Sequence, residues 1–181
     1  LAVLMGLPFP RHMRARGDHF DVAERSEVRL RLGSAAKYAL VLLTDSGSRL
    51  ASSEGQLRLQ LERGRYVVAV RGEVGAPAAK YALALVVRRL TATTLTASSA
   101  EITPGSSVTL RTATAPAPDV GWTELQIDRF DPLTGWQFSR LVRVRAPGGS
   151  LTWAPPAPGR WRARATFLGT LRFSPSRSGY A

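Results

Sequence analysis

A chain of 181 residues with 44% hydrophobic and 21% charged side chains has the make-up of a globular protein, enough for one large domain or two of about 90 residues each. It contains no cysteine, which excludes disulfides, thiolate nucleophiles and cysteine-ligated metals while leaving the compartment open, and no apolar run approaches the roughly 20 residues that span a bilayer. The formal charge of +12 points toward an anionic partner, but it is spread over both halves: residues 1–90 carry 15 basic and 8 acidic side chains (+7), residues 91–181 carry 10 and 5 (+5), and there is no basic tail.

The first seven residues, Leu1 to Leu7, are apolar but short, and no basic stretch or initiating Met precedes them. They read as a first strand rather than the remnant of a signal peptide. A basic, irregular lead-in follows, Pro8-Phe9-Pro10 and Arg11 to Gly17. Asp18 to Val22 is then a short strand with Phe20 and Val22 facing inward. Val28, Leu30 and Leu32 alternate with Arg29 and Arg31 up to Gly33-Ser34. Tyr38 to Leu43 is apolar on both faces, as a central strand is. Thr44 to Ser48 is a turn of residues that tolerate positive φ or bond their own backbone, and Leu50-Ala51 is a short edge strand.

The clearest pattern of the half lies at residues 56 to 71. Leu57, Leu59 and Leu61 alternate with Arg58, Gln60 and Glu62, the period-2 signature of a strand with one dry face. Arg63-Gly64 interrupts, and Tyr66, Val68 and Val70 resume the alternation. The stretch reads as strand, tight turn, strand, with Gly64 giving the turn its backbone freedom. A loop from Gly72 to Ala79, holding Gly75 and Pro77, leads to a last strand, Tyr81 to Val87. No window carries a sustained helical period.

The order of these motifs resembles the bacterial pre-peptidase C-terminal (PPC) domain. The matching segments are Asp18 to Val22, Val28 to Leu32, Tyr38 to Gly47, Leu61 to Val70 and Tyr81 to Leu83, over roughly residues 12 to 87. The resemblance implies a small β-sandwich of the kind attached to secreted bacterial enzymes and surface proteins. Some relatives in secreted collagenases bind calcium and substrate polymer. Carried over, calcium would rest on Asp18, Asp21 and Asp45, a thin set for a cation that wants six to eight oxygens. Turn capping and pairing with nearby Arg are the expected roles of these acids, and no cofactor is expected.

Past Arg88-Arg89-Leu90-Thr91 the composition shifts to Thr, Ser and Ala with frequent Pro, which divides the chain into residues 1–88 and 89–181. Strands are expected at Thr94 to Ala97, Val108 to Leu110, Leu125 to Phe130, Trp136 to Phe138, Val142 to Val144, Leu151 to Trp153 and from Trp161 on. The turns between them include Ile102 to Ser106, the Pro-rich Ala115 to Gly121 and the hairpin Asp131 to Gly135. Leu95-Thr96, Pro104-Gly105-x-x-Val108-x-Leu110, Gly135-Trp136 and Pro158-Gly159-x-Trp161-x-x-Arg164-Ala165 resemble a bacterial immunoglobulin-like domain. The segment Gly169 to Gly179 is similar to the last loop of such modules. The closing strand is expected to be missing or supplied from elsewhere, and the abrupt stop at Gly179-Tyr180-Ala181 suggests a piece of a longer polypeptide. The fold class is therefore all-β, two tandem β-sandwiches, with the second core resting on packing around Trp153 or Trp161.

No catalytic constellation stands out. The only histidines are His12 and His19, no Gly-x-Ser-x-Gly accompanies them, and Gly148-Gly149 is a bare turn with no following Lys or helix. Arg16-Gly17-Asp18 is a tripeptide that chance supplies easily. Glu124, Asp128 and Asp131 are better read as surface or turn-capping acids than as a carboxylate pair. Lys37 and Lys80 are the only lysines and asparagine is absent, so the positive charge is nearly all Arg, a composition that a GC-rich genome accounts for.

Many of these arginines fall on wet strand positions. They form either a solvated sheet face or one that docks on an anionic surface. The aromatics add Trp122, Trp136, Phe138, Tyr180 and Phe130 as exposed candidates. The residues expected to bind a partner are Trp122, Trp136, Phe138, Arg143, Arg145, Arg162 and Arg164. The expected role is a non-catalytic, secreted or cell-surface structural or adhesive module that assembles through sandwich edges and faces, with protein partners or copies of itself. Two alternatives are an accessory module of a secreted hydrolase that binds a polysaccharide or protein polymer, and an Arg face that binds an anionic polymer. Nucleic acid is the least supported partner, because no nucleic-acid-binding motif is present.

Overall fold

The computed structural model describes residues 2–6, 16–34, 38–72, 81–103 and 105–181. Residues 8–15 of the predicted lead-in, with His12, most of the loop after Gly72, both lysines and Pro104 lie outside the described residues, and the end of that lead-in, Arg16 and Gly17, belongs to a strand. Among the described residues there are fifteen strands, and no helix is long and apolar enough to cross a membrane. The chain divides into two compact units, Leu1–Arg89 and Leu90–Ala181, each a β-sandwich of two antiparallel sheets.

The first unit holds β1 (Ala2–Gly6), β2 (Arg16–Val22), β3 (Ser26–Ser34), β4 (Tyr38–Thr44), β5 (Arg49–Ser53), β6 (Gln56–Leu61), β7 (Gly64–Gly72) and β8 (Tyr81–Arg89). The sheets run β1-β8-β3-β6 and β2-β7-β4-β5. Alternation explains the core: Val28, Leu30, Leu61 and Leu83 from one sheet meet Val22, Leu40, Leu42, Val68 and Val70 from the other. Tyr38 and Tyr81 add an edge-to-face contact at 6.1 Å.

The predicted strand–turn–strand at 56 to 71 is two strands that do not pair. β6 pairs with β3, whereas β7 lies between β2 and β4, so residues 62 and 63 carry the chain from one sheet to the other. Both strands alternate because each puts one face into the same core, and alternation alone does not name the hydrogen-bonding neighbour. Gly64 is not among the glycines with positive φ. Gly47, with φ of 87°, is the one among the described residues of this unit, in the turn where Thr44 Oγ1 accepts the Ser48 amide at 3.0 Å.

On the outer face of β3, Glu27 is 8% exposed and bridges two arginines that sit directly opposite one another, Arg29 and Arg58. Arg29 Nε donates to Oε1 at 2.7 Å, and Arg58 donates to Oε2 from Nε at 3.0 Å and Nη2 at 2.7 Å. Burial alone would raise the Glu27 pKa, but the bonds from Arg58 and Arg29 outweigh it and hold the group below 4.5. A folded pKa below the unfolded one contributes stability that is complete above the unfolded value and is lost as pH falls through the folded one. Glu27→Gln is therefore expected to destabilise the first unit by about 1–2 kcal/mol at pH 7. It should also flatten the loss of stability below pH 4.5. Thermal unfolding by circular dichroism over pH 3–7 checks both; an unchanged acid limb would refute the assignment.

The second unit holds β9 (Ala92–Ala97), β10 (Val108–Ala115), β11 (Trp122–Asp131), β12 (Gly135–Arg145), β13 (Ser150–Trp153), β14 (Trp161–Phe167) and β15 (Ser176–Tyr180). A three-stranded sheet, β13-β10-β9, packs on a four-stranded one, β12-β11-β14-β15. Val108, Leu110 and Trp153 from the first meet Leu125, Ile127, Ala163 and Ala165 from the second, and Trp153 and Trp161 stack edge-to-face at 5.0 Å.

Two expectations are corrected here. The segments predicted as separate strands at Trp136–Phe138 and Val142–Val144 are one strand, β12, with a bulge in its pairing to β11. The closing strand is also present: β15 pairs with β14, and Ala163 and Ala181 exchange backbone hydrogen bonds at 2.8 and 2.9 Å. Its sequence, Ser-Arg-Ser-Gly-Tyr, lacks an apolar face because it is an edge strand held by backbone pairing and hydroxyls. Ser178 Oγ accepts the Ala165 amide at 2.9 Å, and the Thr91 and Thr93 hydroxyls each lie 2.7 Å from Ser176 Oγ.

Candidate binding face

All seven residues singled out in the sequence lie on the outer face of the β12-β11-β14-β15 sheet. On β11 the inward positions are Thr123, Leu125 and Ile127, so Trp122, Glu124, Gln126, Asp128 and Phe130 point outward. Their partners on β12 are Arg145, Arg143, Leu141, Phe138 and Trp136. Directly opposed residues share a face.

The bulge makes this set continuous. The register steps from Ile127↔Arg140 to Asp128↔Phe138, which leaves Ser139 as the additional residue. Odd-numbered residues face outward on the Arg145 side of it and even-numbered residues on the Trp136 side. Without that step, Trp136 and Phe138 would point into the core whenever Arg143 and Arg145 pointed out. β14 contributes Arg162 opposite Asp128 and Arg164 opposite Gln126.

The face is a lattice of guanidinium groups over rings. Arg145 lies over Trp122 at 5.4 Å, Arg160 over Phe130 at 5.1 Å, and Arg162 over both Trp136 at 4.4 Å and Tyr180 at 3.9 Å. Arg164 also covers Tyr180, at 4.7 Å, and Phe130 meets Trp136 edge-to-face at 5.3 Å. Two carboxylates are bonded within the lattice: Glu124 Oε1 accepts from Arg143, and Asp128 Oδ2 accepts from Arg162 Nε at 3.0 Å. Gln126 donates to Asp128 at 2.8 Å and accepts from Arg164 at 3.4 Å. Phe138 is 65% exposed and Trp122 46%.

Leu141, Arg160 and Arg177 join the seven on this face. Arg160 is legible in the sequence as a wet position in the same alternation as Arg162 and Arg164. Arg177 escaped because its strand did.

The third carboxylate considered, Asp131, caps the β11–β12 hairpin instead. Its Oδ1 accepts the amides of Thr134 (3.0 Å) and Leu133 (2.8 Å), which hold its carboxyl below the usual range, and Gly135 supplies the positive φ of 77°. In the first unit His19 Nδ1 lies 4.0 Å from Asp45, which also faces Arg65 at 3.9 Å. Among the described residues no group of three or more His, Asp or Glu is arranged to hold a metal ion, so Asp18, Asp21 and Asp45 do not converge.

A second feature was invisible in the sequence. A cavity of about 740 Å³ opens between the sheets at one end of the second sandwich, walled by Ile102, Val108, Ile127, Trp153, Trp161 and Pro155.

No family model and no curated protein matches the chain. Among solved structures it is similar to a DUF4785 family protein from Legionella pneumophila, at 12% identity, 98% of this chain, 60% of that chain and a TM-score of 0.33. It is also similar to the Ruminococcus gnavus β-glucuronidase in complex with uronic isofagomine, at 13% identity, 91% and 33% coverage and a TM-score of 0.32. The Lactobacillus rhamnosus β-glucuronidase aligns at 14% identity, 91% and 34% coverage and a TM-score of 0.30. The chain spans 60% of the first protein and about a third of the glucuronidases, and at these TM-scores the likenesses carry neither fold nor activity over to it.

Proposed function

We propose that the chain is a non-catalytic module of an exported bacterial surface protein, structural or adhesive in role, which docks through the outer face of its second sandwich. The observation that carries this reading is the continuous Arg–aromatic face, exposed at Trp122, Phe138 and Leu141, onto which three strands and a bulge gather the candidate residues. Large exposed rings set among arginines are the composition of protein contact surfaces. The PPC-like motif order supports export. The strand order of the second unit supports the immunoglobulin-like reading: its first, second and fifth strands form one sheet, and its third, fourth, sixth and seventh form the other. With β15 in place, assembly by filling a vacant strand position loses its basis, and docking is through the face.

Beads carrying the protein test the reading. They are expected to cluster with one another or to attach to bacterial cell envelopes. Beads carrying Phe138→Glu with Leu141→Glu should do neither. Wild-type beads that stay dispersed and bind no envelope material would overturn the proposal.

A further inference from the structure

We infer that this face binds a linear acidic polysaccharide, whose carboxylate or sulfate groups are held by the guanidinium groups of Arg145, Arg177, Arg164 and Arg160. The inference rests on the adhesive-module reading and names what the module adheres to.

The charge on the face is unbalanced. Six arginines (Arg143, Arg145, Arg160, Arg162, Arg164 and Arg177) stand against Glu124 and Asp128, and both carboxylates are occupied by Arg143 and Arg162. Among the described residues the other four have no carboxylate partner. Arg164 touches the neutral Gln126, Arg177 the neutral Thr166, and Arg145 and Arg160 lie on rings.

A guanidinium resting over an aromatic ring, as those of Arg145, Arg160 and Arg164 do, loses rotamer freedom before any ligand arrives. That lowers the entropic cost of gripping an oxyanion. Forked N–H donors match carboxylate and sulfate oxygens.

The four groups are spread over the whole face: Arg145 on the β12 edge opposite Trp122, Arg177 on the β15 edge beside Thr166 in the row of Glu124, and between these edges Arg164 in the row of Gln126 and Arg160 on the ring of Phe130. From the row of Trp122 to that of Phe130 is eight residues along β11, about 26 Å. Cationic groups spread over that length suit a polymer with repeating negative groups better than a single small anion.

The covered rings decide between polymers. Single-stranded nucleic acid binds through bases stacked on open aromatic faces. Here Trp122, Phe130, Trp136 and Tyr180 each carry a guanidinium. The exposed Phe138 and Leu141 leave an apolar spot where the C–H face of a sugar ring can rest.

The test is calorimetric titration of the full chain at about 0.15 M salt with dextran sulfate, polygalacturonate, neutral dextran and oligo-dT. At least one acidic polysaccharide is expected to bind, with neutral dextran and oligo-dT at least about tenfold weaker. Arg145→Ala with Arg164→Ala should weaken binding about tenfold or more. Arg31→Ala with Arg71→Ala, which removes the same charge from the first unit, should change it less than about twofold. Unchanged far-ultraviolet circular dichroism and thermal unfolding confirm that each variant is folded.

Three results overturn the inference: no preference for the acidic polymers over neutral dextran, oligo-dT binding as tightly, or equal weakening by the two double variants. If acidic polymers fail while the beads still attach, the adhesive reading stands and only its ligand is wrong. If the beads attach to nothing, the reading itself falls.

Discussion

Arg162→Leu is expected to lower the stability of the second unit by about 2–4 kcal/mol. The partner left behind, Asp128, is 3% exposed, and without Arg162 it keeps only the Gln126 amide at 2.8 Å. Removing one member of a buried ion pair strands the other charge, whereas replacing both by apolar groups of similar size is often close to neutral. Arg162→Leu with Asp128→Leu should therefore recover most of the loss, with the new leucines packing between Trp136 and Tyr180. Urea unfolding followed by tryptophan emission reads this unit alone, because Trp122, Trp136, Trp153 and Trp161 all lie within it. A single substitution costing under about 1 kcal/mol would show that Asp128 finds another donor or water. A double variant no better than the single one would place the stability in the cation–ring contacts instead.

Phe167→Ala is expected to cost about 3–5 kcal/mol in the same measurement. The side chain is fully buried at the end of β14, and the chain cannot readily close over the space it leaves. Gly121, with φ of 146°, passes so near the ring that a Cβ there would lie 2.7 Å from it. That conformation is strained for any side-chain-bearing residue, so Gly121→Ala is costly in the wild type for two reasons, collision and backbone. In the Phe167→Ala background the collision is gone and only the backbone part remains. The two substitutions should then cost less together than the sum of their separate effects. Strict additivity would mean that the ring is not what excludes a side chain at Gly121.

Much of the fold was legible because two-residue periodicity responds to burial, and both sandwiches bury one face of nearly every strand. Val28-Leu30, Leu40-Leu42 and Val68-Val70 announce themselves in this way. Strand partnership is a different quantity. β6 and β7 are adjacent in sequence and equally amphipathic, yet they belong to opposite sheets, and the two residues between them show no mark of it. β15 was illegible because an edge strand exposed on its outer side needs hydroxyls and backbone more than apolar side chains.

Of the seven candidate residues of the face, the arginines follow from the wet positions of alternating strands and the aromatics from their type, and nothing in the sequence joins the two sets. Their union depends on Ser139, a residue with nothing in its identity to mark a bulge. The cavity walled by Trp153 and Trp161 is also lined by residues of two loops, 99–103 and 155–160, whose placement side-chain patterning does not encode directly.

β12, with eleven residues, is the longest strand among those described, and it lies at the edge of its sheet. A long, regular border of unpaired amides and carbonyls invites another strand to zip onto it, the route by which sandwiches clump. The bulge at Ser139 breaks that border, and Arg140, Arg143 and Arg145 line it with positive charge. Guards of this kind made of lysine would begin to fail in mild alkali as the ammonium groups lose their protons. Guanidinium groups keep theirs far beyond that range. The protein should accordingly stay free of edge-to-edge clumping from neutral pH to about pH 10, which light scattering across that span would register as a flat line.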